Sequence, residues 1–247
     1  MFRLFNLINK KINLNRISIK YSAEADFWKD ELDRYVKWYD GIIKHYGIPS
    51  PQPNLRITSF STKEKNAAVT WSRIFQENRY LEDFKIQKNF FQGDRILDIG
   101  CGPLPSALVF TNCNIYGLDH LIDIYRQIGY PIDEFNDRYH FIQAKSEVIP
   151  FESNFFDAVI SANAIDHVDD INKTSQEIKR VLKPKGKFRM HVHYHAPTPL
   201  EPISLNDSTF VQLFGWVQGL KKIGEYKNKD FGYSLAPEGE QYILWAN

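Results

Sequence analysis

Two closely spaced glycines have the clearest chemical meaning in this sequence. Gly100 and Gly102 follow the apolar run 95–99, which predicts a buried strand. Glycine accepts positive φ and lets a ligand approach the backbone, and the N–H groups that begin a following helix would point at that ligand. Asp98 precedes the turn, where its carboxylate would attract a cation and repel a phosphate. The sequence therefore predicts a ligand site at this turn.

An acidic residue ends the next predicted strand. The run 114–119 ends in Asp119, about twenty residues after the glycines, where an acid accepts hydrogen bonds from ribose hydroxyls in nucleotide-binding folds. His120 follows it and is a candidate for an adenine contact, with a surface-loop histidine as the alternative. The pattern predicts an adenosine-containing ligand without deciding which one.

Polar residues also follow the fourth predicted strand, 154–161. Asn163, Asp166 and His167 fall at the carboxyl edge, where open α/β sheets bind ligands. We predict His167 as a general base with Asp166 beside it. The alternative is a capping aspartate and a structural histidine at the start of a helix.

The motif 97–102, Leu-Asp-Ile-Gly-Cys-Gly, resembles the first motif of class I S-adenosylmethionine-dependent methyltransferases, type 11-like. The segments 144–161 and 182–193 resemble later motifs of the same family, in the same order. A dinucleotide fingerprint would need a third glycine where Pro105 stands. A nicotinamide-dependent oxidoreductase, which would use such a fingerprint, is kept as the alternative enzyme class.

The resemblance implies S-adenosylmethionine as cofactor, with an adenine turn at Ser146 and Glu147. Family members commonly carry an acid, often in contact with the adenine amino group, where this chain has Lys145. The implied cofactor-binding residues are Asp98, Gly100, Cys101, Gly102, Asp119, His120, Ser146, Glu147 and Asn163.

Three histidines alternate along the fifth predicted strand and its exit, at 191, 193 and 195, so their side chains share one face. Some O-methyltransferases hold a divalent ion at this edge with two acids and a histidine; here the ligands would be Asp166, His167, His193 and His195. Asn163 replaces one acid, which weakens a site for a hard cation. We therefore expect no metal, with His193 and His195 contacting the substrate.

The chain is expected to be α/β: a Rossmann-like, seven-stranded, mostly parallel sheet with its last strand antiparallel, as the resemblance implies, preceded by N-terminal helices. We divide it into an N-terminal arm and helical cap, 1–91, and a catalytic domain, 92–247, forming one structural unit. Ser22 is a predicted N-cap for a helix ending near Gly47, and Thr62 begins another helix. A further helix is predicted from Pro105.

The composition excludes several classes of protein. There are 31 Lys and Arg against 30 Asp and Glu, so no overall field attracts nucleic acid or membrane. Two cysteines make no disulfide framework and indicate a reducing, cytoplasmic location. We expect a small-molecule substrate, no nucleic-acid or membrane partner, and a homodimer through the N-terminal helices.

The sequence gives little information about the methyl acceptor. No Asn/Asp-Pro-Pro-Tyr or Pro-Cys motif follows the fourth strand, which disfavours methylation of DNA bases. We expect O-methylation of a small polar acceptor, such as a sugar, a sugar nucleotide or a phosphate-bearing metabolite of bacterial surface-polysaccharide synthesis. The non-enzymatic alternative is a cofactor-binding partner subunit without catalysis.

Overall fold

The computed structural model describes residues 2–46, 62–76, 78–135, 139–227 and 241–247, and these residues form one seven-stranded sheet flanked by helices. The strand order is β3-β2-β1-β4-β5-β7-β6, and β7 runs antiparallel to both of its neighbours. The strands are β1 (Arg95–Ile99), β2 (Asn114–Asp119), β3 (Tyr139–Gln143), β4 (Phe156–Ala162), β5 (Leu182–Tyr194), β6 (Lys221–Lys227) and β7 (Gln241–Ala246). The predicted fold class is confirmed.

The helices are of three kinds. The α-helices are α1 (Phe2–Tyr46), α2 (Lys63–Trp71), α3 (Arg79–Asp83), α4 (Ile122–Ile128), α5 (Ile171–Val181) and α6 (Asp207–Phe214). A π-helical segment (Ser72–Gln76) continues α2, and three short 3-10 helices are Ser106–Val109, Ile132–Glu134 and Ile165–His167. None of the described helices combines the length and the apolar composition needed to cross a bilayer.

The predicted helix start at Ser22 is wrong, because α1 continues through this residue. Contacts on both sides favour the unbroken helix: Lys20 pairs with Asp169 at 3.3 Å, and Glu24 lies 3.0 Å from the ring of His120. Tertiary contacts therefore outweigh the local capping preference of serine. The predicted end near Gly47 lies outside the described residues. The predicted cap at Thr62 is present, since its hydroxyl accepts from the Lys65 N–H.

The predicted helix after the glycine turn is also corrected. Only the 3-10 helix Ser106–Val109 follows, because Pro105 takes φ −77° and ψ 68°, which is not an α-helical conformation. Fewer backbone N–H groups of a helix start therefore point toward a ligand at this turn than the sequence predicted.

The cap and the sheet share one hydrophobic core. Leu32 and Tyr35 of α1 are buried in the same cluster as Ile96 of β1 and Ile122 of α4. The Tyr130 hydroxyl also donates to the Trp28 carbonyl oxygen at 2.9 Å. This packing holds α1 across the carboxyl edge of the sheet, above the glycine turn.

Candidate functional site

A cavity of about 890 Å³ lies at the carboxyl edge of the sheet. Its floor consists of the residues that follow β1, β2, β3 and β4, and its roof consists of α1 and the π-helical segment. The volume is in the range of small-molecule and cofactor sites, and the position is where open α/β sheets bind ligands.

The glycine turn forms the centre of the floor. Gly100 and Gly102 have φ of +67° and +63°, so both take the left-handed conformation that the sequence predicted. A Cβ on Gly100 would lie 2.2 Å from the Cβ of Ala164, and a Cβ on Gly102 would lie 3.4 Å from the Trp28 ring. Cys101 lines the cavity between them, and burial raises the pKa of its thiol well above the usual range. The cavity floor at this turn therefore requires residues without a Cβ at positions 100 and 102.

Asp98 lies beneath the turn instead of in the cavity wall. Its side chain is fully buried and accepts from the hydroxyls of Tyr80 at 3.3 Å and Tyr139 at 3.4 Å. The Tyr139 hydroxyl reaches it across Gly117, where any Cβ would lie 2.3 Å from that oxygen. Burial raises the pKa of Asp98 to about 8. In this arrangement Asp98 supports the turn from below and does not line the cavity, and its predicted cofactor contact stays a prediction.

Asp119 and His120, the residues predicted for the ribose and adenine, lie in the cavity wall. The Asp119 carboxylate accepts from the Gly102 N–H at 3.1 Å and the Leu121 N–H at 2.9 Å, so it ties the end of β2 to the glycine turn. Burial raises the pKa of this carboxyl. The His120 ring lies 4.7 Å, centre to centre, from the ring of Tyr21 in α1, with the two planes tilted by 48°.

The predicted adenine turn is also in the wall. Ser146 is buried and its hydroxyl lies 3.0 Å from that of Thr174. Glu147 accepts from the N–H groups of Asp169 and Asp170, at 2.7 and 2.9 Å. Lys145, which replaces the acid usual in the family, pairs with Asp169 at 2.8 Å. The turn is thereby fixed to the start of α5.

Asn163 carries an unused acceptor. Its φ is +51°, a left-handed conformation that is uncommon outside glycine. Its backbone N–H donates to the His191 carbonyl oxygen, whereas its buried Oδ1 has no hydrogen-bond partner among the described residues. Because the residue lines the cavity, this oxygen is suited to accept a hydrogen bond from a ligand.

His167 lies between two carboxylates at the far side of the cavity. Its Nδ1 is 3.6 Å from Glu24 of α1, and its Nε2 is 3.5 Å from Glu201 of the loop after β5. Burial opposes a positive charge on the ring, but these two carboxylates outweigh it and raise the pKa of His167 to about 10. In this arrangement the protonated imidazole is favoured at neutral pH, so His167 would have to lose that proton before acting as the predicted general base, and that role stays a prediction.

The other strand-end residues lie behind the wall. Asp166, His193 and His195 are buried and do not line the cavity. The strand histidines do share a face, because the His193 ring stacks on Tyr242 of β7 and lies 4.5 Å from the His195 ring. None of the three residues lines the cavity wall, so the predicted contacts of His193 and His195 with substrate, and of Asp166 with the reacting groups, stay predictions. Strand β7 and the loop after β5 cover these side chains.

Sequence reasoning predicted a helical cap at 1–91 but placed none of its acidic or aromatic side chains in a ligand site. Glu24 and an aromatic face of α1 and the π-helical segment lie opposite the glycine turn, and nothing in the local sequence marks them as ligand contacts. The only available signal was the aromatic periodicity of the two helical stretches. The lining aromatic residues are Tyr21, Phe27, Trp28, Tyr35, Trp71, Phe75, Tyr80 and Tyr125.

The cavity carries an excess of acidic groups. Seven carboxylates line it, against four lysine and arginine side chains: Glu24, Glu31, Asp83, Asp119, Glu147, Asp169 and Glu201, against Lys20, Arg34, Arg79 and Lys145. Together with the aromatic faces, this favours a cationic ligand over a phosphate-rich one.

Comparison with known proteins gives a consistent result. A family model described as a methyltransferase domain matches residues 97–190. The sterol 24-C-methyltransferase of Saccharomyces cerevisiae is 23% identical over 205 residues, covering 74% of this chain and 53% of that protein. The enzyme of the same name from Pneumocystis carinii is 33% identical over 193 residues, covering 68% and 51%. The chain thus spans about half the length of these curated relatives.

Solved structures show the same fold. The YcgJ protein of Bacillus subtilis superposes with a TM-score of 0.53 at 18% identity, covering 69% of this chain and 97% of that one. Phosphoethanolamine N-methyltransferase 2 of Haemonchus contortus, solved with S-adenosylhomocysteine, has a TM-score of 0.52 at 16% identity, covering 75% and 57%.

Proposed function

This chain belongs to the class I S-adenosylmethionine-dependent methyltransferases, and from that premise we propose that it methylates an apolar small molecule. The observation that carries the proposal is the aromatic roof opposite the glycine turn. The cofactor and the acceptor would share the one cavity, with the cofactor on the floor and the acceptor under the roof.

The floor suits S-adenosylmethionine. This cofactor combines a positive sulfonium and an ammonium group with an adenosine, and the site offers bare glycine backbone, an excess of carboxylates and the unused acceptor of Asn163. The predicted contacts, with Asp119 at the ribose and Ser146 and Glu147 near the adenine, belong to this proposal. When bound, the cofactor supplies a methyl group already activated by its positive sulfur.

The roof suits an apolar acceptor. Phe27 and Phe75 line the cavity and remain 51% and 49% exposed, so they form an apolar mouth. Phe75 also packs at 4.4 Å against the Trp71 ring. Exposed aromatic side chains at a cavity mouth are typical of ligand-binding surfaces. The sterol acceptor named for the curated relatives is of the same apolar class.

The charges favour transfer to carbon. Methyl transfer to a hydroxyl needs a group that removes its proton, and His167 is already protonated between Glu24 and Glu201. Transfer to an alkene carbon forms a carbon–carbon bond as the sulfonium–methyl bond breaks and needs no proton removed beforehand. The resulting carbocation then loses a proton to one of the carboxylates that line the cavity. The carboxylates and aromatic faces would stabilise the positive charge of the carbocation.

O-methylation of a small polar acceptor, such as a sugar or phosphate-bearing metabolite, is the second candidate. The observation that favours it is the polar end of the cavity, where Lys20 donates to the His167 carbonyl oxygen, Glu201 lies 3.5 Å from its ring, and Thr198 lines the same wall. This reaction would require His167 in its neutral form. Its rate would therefore rise with pH toward about 10, whereas the rate of transfer to carbon would not follow this titration.

Incubation with deuterated-methyl S-adenosylmethionine and two acceptor pools, sterols and sugar nucleotides, tests the proposal. Mass spectrometry should find label in an apolar product, with the label on carbon. Phe75→Ser should raise the KM for that acceptor and leave S-adenosylhomocysteine affinity unchanged. The matched control Val211→Ser removes a similarly exposed apolar side chain from α6, outside the cavity wall, and should change neither. Label confined to sugar nucleotides would replace the first candidate by the second.

A further inference from the structure

A cluster of potential metal ligands lies behind the cavity wall. Asp166, His193, His195 and Glu201 each offer one ligand atom, and these atoms all lie within 4.8 Å of one another. The first three residues are buried, whereas Glu201 is partly exposed and also lines the cavity. Two imidazoles and two carboxylates form a mixed nitrogen and oxygen donor set that suits first-row divalent ions.

Three elements bring the cluster together. His193 lies in β5 and His195 just beyond its end, Asp166 lies in the 3-10 helix after β4, and Glu201 lies in the loop before α6. The same loop is anchored next to the cluster by backbone groups, since the Ile203 N–H donates to the Asp166 carbonyl oxygen at 3.2 Å. The Ser204 hydroxyl donates to the His195 carbonyl oxygen at 2.9 Å. The ligand set is therefore held in place by the fold itself.

The hydrogen bonds of His195 fix which nitrogen can bind an ion. Its Nδ1 is 2.6 Å from the Ala196 carbonyl oxygen, which can only accept, so Nδ1 must carry a proton. Its Nε2 then faces Asp166 Oδ2 at 3.0 Å. A lone pair facing a carboxylate is repulsive, so a cation, either a proton or a metal ion, must lie between these two atoms. A metal-bound histidine usually donates its other N–H to a carbonyl or carboxylate, as Nδ1 does here.

Asp166 provides a second, independent observation. Its side chain is fully buried, and its Oδ1 has no hydrogen-bond partner among the described residues. An unpaired buried carboxylate oxygen is costly, and coordination of a cation by this group would offset that cost.

We propose that Asp166, His193, His195 and Glu201 form a binding site for a divalent transition metal ion such as Zn²⁺ or Mn²⁺. Tetrahedral coordination at about 2.1 Å places ligand atoms about 3.4 Å apart, so the donors must close in modestly from their present separations. Glu201, on a loop and partly exposed, is the ligand that moves most easily. His167 is not a ligand in this set, although the sequence grouped it with the other three.

The ion would fasten the loop that carries Glu201 to the ends of β4 and β5. This loop contributes Thr198, Leu200 and Glu201 to the cavity wall. The metal would therefore stabilise the wall of the acceptor end, away from the glycine turn. S-adenosylhomocysteine binding should not depend on it, and this separates the test of the metal site from that of the proposed function.

The experiment uses the full chain stripped with a chelator and titrated with Zn²⁺, Mn²⁺ or Mg²⁺ in a calorimeter, with thermal unfolding followed in parallel. We expect one Zn²⁺ or Mn²⁺ per chain, a raised Tm on binding, and weaker binding of Mg²⁺. His193→Gln and Glu201→Gln should each weaken Zn²⁺ binding at least about tenfold. The control His140→Gln changes an exposed histidine of β3, outside the cluster, and should bind as the parent does.

Two results would overturn the site. One is no saturable binding of Zn²⁺ or Mn²⁺ to the parent chain, which would assign the space between His195 and Asp166 to a proton. The other is equal binding by the parent, His193→Gln and Glu201→Gln proteins, which would place the ion elsewhere. If one of these variants fails to fold, the other variant and the titration of the parent chain still test whether these residues bind the ion.

Discussion

The smallest change at the glycine turn, Gly100→Ala, should be strongly destabilising for two separable reasons. The first is conformational, because φ of +67° costs a residue with a Cβ about 1–2 kcal/mol. The second is steric, because the new Cβ would lie 2.2 Å from the Ala164 Cβ, where carbon atoms normally stay about 3.5–4.0 Å apart. Overpacking of this kind costs about 1–3 kcal/mol. The expected total loss is about 2–5 kcal/mol in the free energy of unfolding.

Two matched variants separate these costs. Gly93 has φ of +84°, and nothing lies within 4 Å of the position that a Cβ would take there, so Gly93→Ala should lose only the conformational part, about 1–2 kcal/mol. Ala164→Gly removes the atom that Gly100→Ala meets. Relative to Ala164→Gly alone, the double variant Gly100→Ala/Ala164→Gly should lose only about 1–2 kcal/mol of unfolding free energy. The interaction energy of the two substitutions then measures the cost of the overlap between the two Cβ atoms.

Urea unfolding followed by tryptophan fluorescence gives the stabilities, and calorimetry with S-adenosylhomocysteine gives the affinity. Gly100→Ala should weaken S-adenosylhomocysteine because the turn must shift away from Ala164, whereas Gly93→Ala, outside the cavity wall, should leave affinity unchanged. Equal losses of stability for Gly100→Ala and Gly93→Ala, with no rescue by Ala164→Gly, would refute the reasoning. Normal affinity of Gly100→Ala would show that the turn is not the ligand site.

Asp119→Ala should weaken S-adenosylhomocysteine by about 1.5–3 kcal/mol in calorimetry, the cost of a lost hydrogen bond to a charged group, and unchanged affinity in a folded variant would exclude the ribose contact. Stability should also depend on pH through His167: its folded-state pKa of about 10 lies above the usual 6.5, so its contribution is complete below about pH 6.5 and is lost as the pH rises toward 10. Urea unfolding at pH 6.5 and 9.5 should show a larger loss in the parent than in His167→Gln, with His140→Gln as a control that behaves as the parent; an equal loss in His167→Gln would assign the pH dependence to other groups, such as Asp98.

The sheet and the glycine turn could be predicted from the sequence because their signals are local. Strands 95–99, 114–119 and 139–143 are short runs whose β-character follows from adjacent residues, and only glycine tolerates the turn that follows the first of them. The order of these segments along the chain also implies the parallel topology. The sequence prediction failed just after the glycine turn, where Pro105 takes a non-helical conformation and a 3-10 helix replaces the expected α-helix.

The chemistry of the site was decided by the tertiary structure. The sequence placed His167 at a strand end, but only the fold brings it within 3.6 Å of Glu24 in α1, so its protonation state depends on a contact between distant segments. In the same way, Asp98 is turned into a buried support by Tyr80 and Tyr139, and Glu201 joins the buried Asp166 and strand histidines. A side chain's charge and access depend on the groups that surround it in space. Residue type and spacing set which groups are available, and only packing sets which of them meet.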